Sequence, residues 1–384
     1  MTFMNYFLSL FFVFNLSCQC LAGVPQQINL RDKIGQMLLI GFDGKQVNAQ
    51  SEIVKSIEKD NLGGVILFDY NQQTNTFDKN IESPAQVKKL NHDLQSFAQK
   101  ANAEYHRPNL PLLISVDYEG GLVARLSEQY GFPATLTAAE VGKRGVKAVE
   151  ANAQLMSQTL VESGFNLDFA PLVDVNVNPN NPVIAKKERS FSCDPDIVIR
   201  NARIYSRHFL KQGIQCVYKH FPGHGSSTAD SHLGFVDVSD TWQPYELKPY
   251  QWLLNKNFSC GMIMSAHIVN RRLDDSGLPA TLSHKILTDL LRHKLHFNGV
   301  IITDDMQMKA ISDHYGLEQS LVLAINAGAD MLIFGNALTA KAQDPEQLIN
   351  IIEAKVHSGE ISQSRINEAY QHIVTFKQSL MQNH

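Results

Sequence analysis

Eight short apolar runs recur along this 384-residue chain, at 36–42, 64–68, 112–117, 165–170, 214–218, 261–266, 299–304 and 330–335. Gly299-Val300-Ile301-Ile302-Thr303-Asp304 shows their character: apolar almost without interruption, with no polar alternation. A strand covered on both faces reads this way, whereas a half-exposed strand alternates. Between the runs lie segments with helical spacing, at 51–61, 84–100, 147–162, 195–211, 245–254, 283–295 and 318–326. In 84–100, for example, Val87, Leu90, Leu94 and Phe97 share one face. Two more helical segments, 345–357 and 362–377, follow the last run. Eight strands alternating with helices predict an α/β fold of the (β/α)8 TIM-barrel type, as one domain over residues 23–384. A doubly wound open sheet is the competing arrangement, but no Gly-rich dinucleotide fingerprint follows any run.

A barrel enzyme carries its site at the C-terminal ends of its strands. Chemistry-bearing residues cluster there: Asp117 after the third run, Lys219 and His220 after the fifth, His267 after the sixth, Asp304 at the end of the seventh. The fifth run leads into Lys219-His220-Phe221-Pro222-Gly223-His224-Gly225, and Asp230-Ser231-His232 follows a few residues on. A carboxylate beside an imidazole orients the ring and stabilises its protonated form. Asp304, ending an apolar strand, is placed to attack an electrophilic carbon. Asp305 suits the capping of a following helix better than Asp304 does. His267 reads as a support for the site, not a reacting group. Histidines 220, 224 and 232 near an aspartate could instead ligate a metal, as in a metal-dependent barrel hydrolase.

The Lys219–Gly225 segment and its Asp230-Ser231-His232 continuation resemble the signature of glycoside hydrolase family 3, in its β-N-acetylglucosaminidase branch. The resemblance runs from about Ile34 to the C-terminus. It implies that His232 is the general acid/base, oriented by Asp230, and that Asp304, after Thr303, is the nucleophile. Asp117-Tyr118-Glu119-Gly120-Gly121 with Arg125 resembles the family's sugar-binding segment, and Arg189-Ser190-Phe191 its substrate-reaching arginine. Lys219 and His220 match residues that donate hydrogen bonds to sugar hydroxyls. The implied activity is release of terminal β-linked N-acetylglucosamine from chito-oligosaccharides or peptidoglycan fragments, through a covalent glycosyl-enzyme and without metal or cofactor. Larger relatives have a second, sandwich domain; this chain is expected to work without one, and an acid/base on the barrel's own loop fits that. A β-glucosidase-like enzyme and a non-catalytic glycan-binding protein are the alternatives. An acid and a nucleophile serve no purpose in simple binding.

The net charge of −4, with 19% charged residues, gives no reason to expect a nucleic-acid partner. A carbohydrate substrate and a monomer are expected. Near the N-terminus, Tyr6 to Phe14 forms an apolar core followed by Cys20-Leu21-Ala22, as in a cleavable secretory signal over residues 1–22. That core is too short to span a bilayer, so an exported, periplasmic or secreted protein is expected. Lipoprotein anchoring through Cys18 or Cys20 has little support, because the residues before each make a poor lipobox. Cys193, Cys216 and Cys260 would remain after cleavage, and an odd count implies no full disulfide framework. Cys216 is expected as a small buried residue within a strand.

Overall fold

The computed structural model describes residues 28–381, apart from 72–73, 78, 255 and 340–341. The N-terminal apolar segment and its cleavage site lie outside the described residues. All eight apolar runs form strands: β1 Leu38–Gly41, β2 Gly64–Leu67, β3 Leu113–Val116, β4 Leu167–Asp168, β5 Gln215–Phe221, β6 Met262–Ser265, β7 Val300–Asp305 and β8 Met331–Phe334. Each pairs in parallel with its neighbours in sequence, and β1 closes on β8 with Leu38 opposite Leu332 and Ile40 opposite Phe334. The expected barrel is therefore formed. β1, β2, β3, β6 and β8 are buried along their whole length, since the helices cover the outside and side chains fill the inside. The closing seam is tight: a Cβ on Gly41 would lie 1.8 Å from the Gly335 carbonyl oxygen, so only glycine fits there.

The helices start where their capping residues predict. Ser83 accepts from the Gln86 N–H ahead of Pro84–Glu104, and Asp194 from the Asp196 N–H ahead of Pro195–Lys211. Gln36, read from sequence as the start of the first strand, instead ends a helix, Leu30–Gln36, capped by Asn29. A small antiparallel hairpin, Tyr118–Gly120 with Val123–Ala124, follows β3 and has no counterpart in the sequence reading.

The cysteine expectation needs correction. Cys216 is buried in β5 as expected, but it is disulfide-bonded to Cys260, with Cα atoms 4.9 Å apart. Parallel neighbours β5 and β6 bring together cysteines 44 positions apart, and the odd count reflects only the exposed, free Cys193.

At the opposite end of the barrel from the expected site, the helix Gln363–Met381 inserts Lys377. Its ammonium is fully buried and donates to Gln36 Oε1 and the Gly63 carbonyl, both at 2.7 Å. Burial pushes this lysine down to about 7. A neutral amine still has two N–H donors for the two acceptors. Between about pH 7 and the unfolded value near 10.4, the unfolded chain holds a proton that the folded protein does not. Stability should therefore rise with pH across that window, by up to about 4 kcal/mol. Denaturant titrations at pH 7 and pH 9.5 should show this rise in the native protein and not in Lys377→Met. The same pH slope in both would exclude Lys377 as its source.

Candidate active site

β7 carries Thr303, Asp304 and Asp305 to the mouth of the barrel. Asp304 is half-buried, and its Oδ1 accepts from the Asp305 N–H at 2.8 Å. Burial alone would raise this carboxyl, but His220, His267 and His232 more than offset it and hold Asp304 below the usual carboxylate value. Asp304 is thus an ionised carboxylate at neutral pH. Asp305 points elsewhere. Its Oδ1 accepts from the Gln307 N–H at 3.0 Å, so it caps a turn and not the next helix, Lys309–Ser312, whose N-cap is Met308; burial pushes it up to about 7. His267 is buried, with Nδ1 2.8 Å from the Thr281 hydroxyl and Nε2 2.9 Å from the Asp305 carbonyl oxygen. A carbonyl only accepts, so Nε2 carries the proton. His267 braces the backbone just after Asp304, in the supporting role expected.

Across the mouth stands a charge-balanced cluster. Lys219 Nζ bridges Asp117 Oδ1 at 2.9 Å and Glu119 Oε1 at 2.8 Å. Arg189 grips Glu119 with two donors, Nε at 2.7 Å and Nη2 at 2.6 Å. Burial would raise both carboxyls. Lys219 and Arg125 keep Asp117 below its usual value, and Arg189 and Lys219 do the same for Glu119. Consecutive side chains of a regular strand face opposite ways. Lys219 and His220 nevertheless both reach the site, where the β5–β6 register shifts between Tyr218 and Phe221. Arg125 stands over the Phe68 ring and pairs with Asp69 at 3.3 Å.

Behind the cluster sits Asp174, fully buried on the loop after β4. It accepts from His220 Nδ1 at 2.7 Å and from the His224 backbone N–H at 2.8 Å. Burial holds His220 well below its ordinary value. With its single proton on Nδ1, the neutral ring presents Nε2 as an acceptor; the sequence reading had it as a donor to sugar hydroxyls. His224 connects to the Asp230–His232 loop, its Nε2 lying 3.4 Å from the Ser231 hydroxyl. The Ser231 carbonyl accepts from the Ala310 N–H, tying the same loop to the segment after β7. In that loop His232 Nδ1 is 2.8 Å from Asp230 Oδ1, and the His232 N–H donates to the same oxygen at 2.9 Å. Burial would raise Asp230, but His232 draws it down to about 2. Nδ1 is thereby engaged, which leaves Nε2 for a reacting group.

One cavity at the mouth gathers these parts. Asp117, Arg125, His232 and Asp304 line it, between apolar walls that include Phe68, Phe169 and Met264. Lys219 and His220 are nearly buried and sit behind this lining, and Asp230 backs His232. Arg189, through Glu119 and Lys219, holds Asp117 in place. Among the described residues, no group of three or more His, Cys, Asp or Glu is arranged to hold a metal ion. Sequence reading missed Glu119, Asp168 and Asp174. Asp168 is fully buried at the end of β4 and accepts from the Tyr118 N–H at 3.0 Å. An acid inside an apolar run, as in Pro171-Leu172-Val173-Asp174-Val175, is the signal that could have found Asp174.

Arg189→Ala should keep the barrel but lower kcat/KM by about 10- to 100-fold, because it removes two charge-assisted bonds to Glu119. Arg189→Lys should fall between, keeping the charge and losing the fork. Steady-state kinetics with circular dichroism as a folding control checks both; native efficiency in folded Arg189→Ala would remove it from the site.

The model of the glycosyl hydrolase family 3 N terminal domain matches residues 29–376. Beta-hexosaminidase A of Pseudoalteromonas piscicida is 33% identical over 350 residues, covering 86% of this chain and 56% of that protein. The chain thus spans little more than half the length of that relative. Beta-hexosaminidase of Photobacterium profundum is 30% identical over 300 residues, covering 78% of this chain and 81% of that protein. Among solved structures, a family 3 beta-N-acetylglucosaminidase from a Paenibacillus species superposes with a TM-score of 0.80 at 32% identity, covering 92% of this chain and 63% of that one. Beta-N-acetylhexosaminidase from Beutenbergia cavernae gives 0.78 at 25% identity, covering 91% and 99%. A family model that matches nearly the whole described chain, on a closed barrel with this mouth, means that the chain belongs to glycosyl hydrolase family 3 through its N terminal domain.

Proposed function

We propose that this protein is a retaining exo-glycosidase that releases terminal β-linked N-acetylglucosamine from chito-oligosaccharides or peptidoglycan fragments. The carrying observation is that Asp304 and His232, the latter backed by Asp230, line one cavity at the C-terminal end of the barrel. Relatives named beta-hexosaminidase and beta-N-acetylglucosaminidase support the substrate class. In the first step Asp304 attacks the anomeric carbon while the glycosidic C–O bond breaks and His232 Nε2–H protonates the leaving oxygen. In the second, His232 takes a proton from water, which hydrolyses the glycosyl ester and restores the β-anomer. Asp117 and Arg125 hold the sugar; Lys219, His220 and Arg189 fix its surroundings.

Nitrophenyl β-glycosides of N-acetylglucosamine, N-acetylgalactosamine and glucose test the specificity. N-acetylglucosaminide should be turned over fastest. A faster glucoside would make the protein a β-glucosidase. We also propose export: the apolar N-terminal segment and the Cys216–Cys260 disulfide both suit an oxidising compartment. Among the described residues no helix is long and apolar enough to cross a membrane. N-terminal sequencing of the native protein should start near Gly23, and an intact Met1 in the cytosolic fraction would refute export.

A further inference from the structure

We propose a second glycan-binding site, separate from the catalytic cavity, which takes a sugar carrying a carboxylate. It is a cleft on the helical layer outside β5 and β6, between the helix Pro195–Lys211 and the segment from Trp252 to Phe258. Two aromatic side chains stand open on its rim, Trp252 at 59% and Phe258 at 42% exposure. Large exposed aromatics grouped around a concavity mark interaction sites, and lone surface aromatics do not. The floor is the ring of Tyr218, buried, with its hydroxyl near Ser206, Ser259 and the Cys260 backbone yet in no well-formed hydrogen bond.

The charge around the cleft has one sign. Arg203 and Lys256 line it, Lys211 sits 5.8 Å over the Phe258 ring, and no Asp or Glu is among the lining residues. Neither Arg203 nor Lys256, both exposed, forms a salt bridge among the described residues, so both charges are open to a ligand. A net charge of −4 makes an isolated cationic cleft stand out further. An indole presents a flat apolar face that a pyranose can cover with its C–H groups. A guanidinium and an ammonium beside it supply charge-assisted bonds to a carboxylate. Together they fit an acidic sugar, such as the lactyl-bearing residue of peptidoglycan, better than a neutral one. A long polyanion would meet repulsion beyond this small patch. A membrane surface would favour protruding side chains over a cleft with a polar floor.

Trp252 lies in the helix Lys248–Leu253, and the chain after it leads into the start of β6, whereas Asp304 lies at the end of β7. The cleft therefore lies away from the catalytic mouth and can hold a polymer without blocking turnover. The inference takes from the proposed function only the class of polymer, and retention is read separately from catalysis. Asp304→Ala protein is sedimented with insoluble peptidoglycan and, in parallel, with chitin. Adding Trp252→Ala, or Arg203→Ala with Lys256→Ala, should cut retention on peptidoglycan at least 5-fold and leave retention on chitin unchanged. In the otherwise native enzyme the same substitutions should leave turnover of the nitrophenyl N-acetylglucosaminide unchanged. Unaltered retention on peptidoglycan, or none even before these substitutions, overturns the proposal. So does a fall in nitrophenyl turnover, which would join the cleft to the catalytic site. Loss confined to binding of anionic phospholipid vesicles would assign a membrane surface and overturn the glycan.

Discussion

Asp304→Ala should lose turnover on every β-glycoside, by a factor on the order of 10⁴ or more. No other group at the mouth can replace it. Asp305 is turned toward the Gln307 backbone and held near neutrality by burial, and Asp117 is committed to Lys219. The loss should be as deep for an activated aryl glycoside as for chitobiose, since both need the same ester intermediate. Asp304→Asn, close in shape, guards against a folding artefact. A small anion such as azide should enter the space left in Asp304→Ala, attack the same face of the anomeric carbon and release an α-glycosyl azide. Substantial turnover in either folded variant would displace Asp304 from the role proposed.

His232→Ala should fail in a different way. Without its imidazole a sugar leaving group must depart unprotonated, which is hard, while an activated phenol departs readily. Loss on chitobiose should reach roughly 10²- to 10⁴-fold, and the first step on a dinitrophenyl glycoside should survive far better. Hydrolysis of the ester then becomes limiting, so a burst of phenol should precede slow turnover. Proton NMR of the first sugar released by the native enzyme should show the β-anomer. An α-anomer, or equal losses of His232→Ala on the two substrates, would refute the assigned roles.

Much of this was legible in the sequence because a TIM barrel spells itself out. Doubly covered strands must be apolar throughout, so all eight runs stood clear, even β4, which keeps only two paired residues. The motif residues were legible because their types are unusual at strand ends. What stayed hidden was partnership. Glu119 was in plain view, but nothing along the chain says that it meets an arginine 70 positions away. Asp174 could be noticed as an acid in apolar company, yet its link to His220 depends on β4 and β5 lying side by side. The next adjacency, of β5 with β6, joined Cys216 to Cys260, which counting cysteines could not show. His220 was found by type, while the proton on Nδ1, and hence its accepting role, follows only from the Asp174 contact.

Lys377 finds its acceptor on Gln36, 341 positions earlier. The first strand of the ring likewise closes on the last. Synthesis proceeds at about 5–20 residues per second, so Gln36 waits roughly 20–70 s for its partner to emerge. For that interval β1 has one edge without a neighbour, and its apolar side chains lack half their cover. No N-terminal portion of the chain can complete the ring by itself. Assembly is thus forced to be a late event, and the nascent strands need shielding until the final helix arrives.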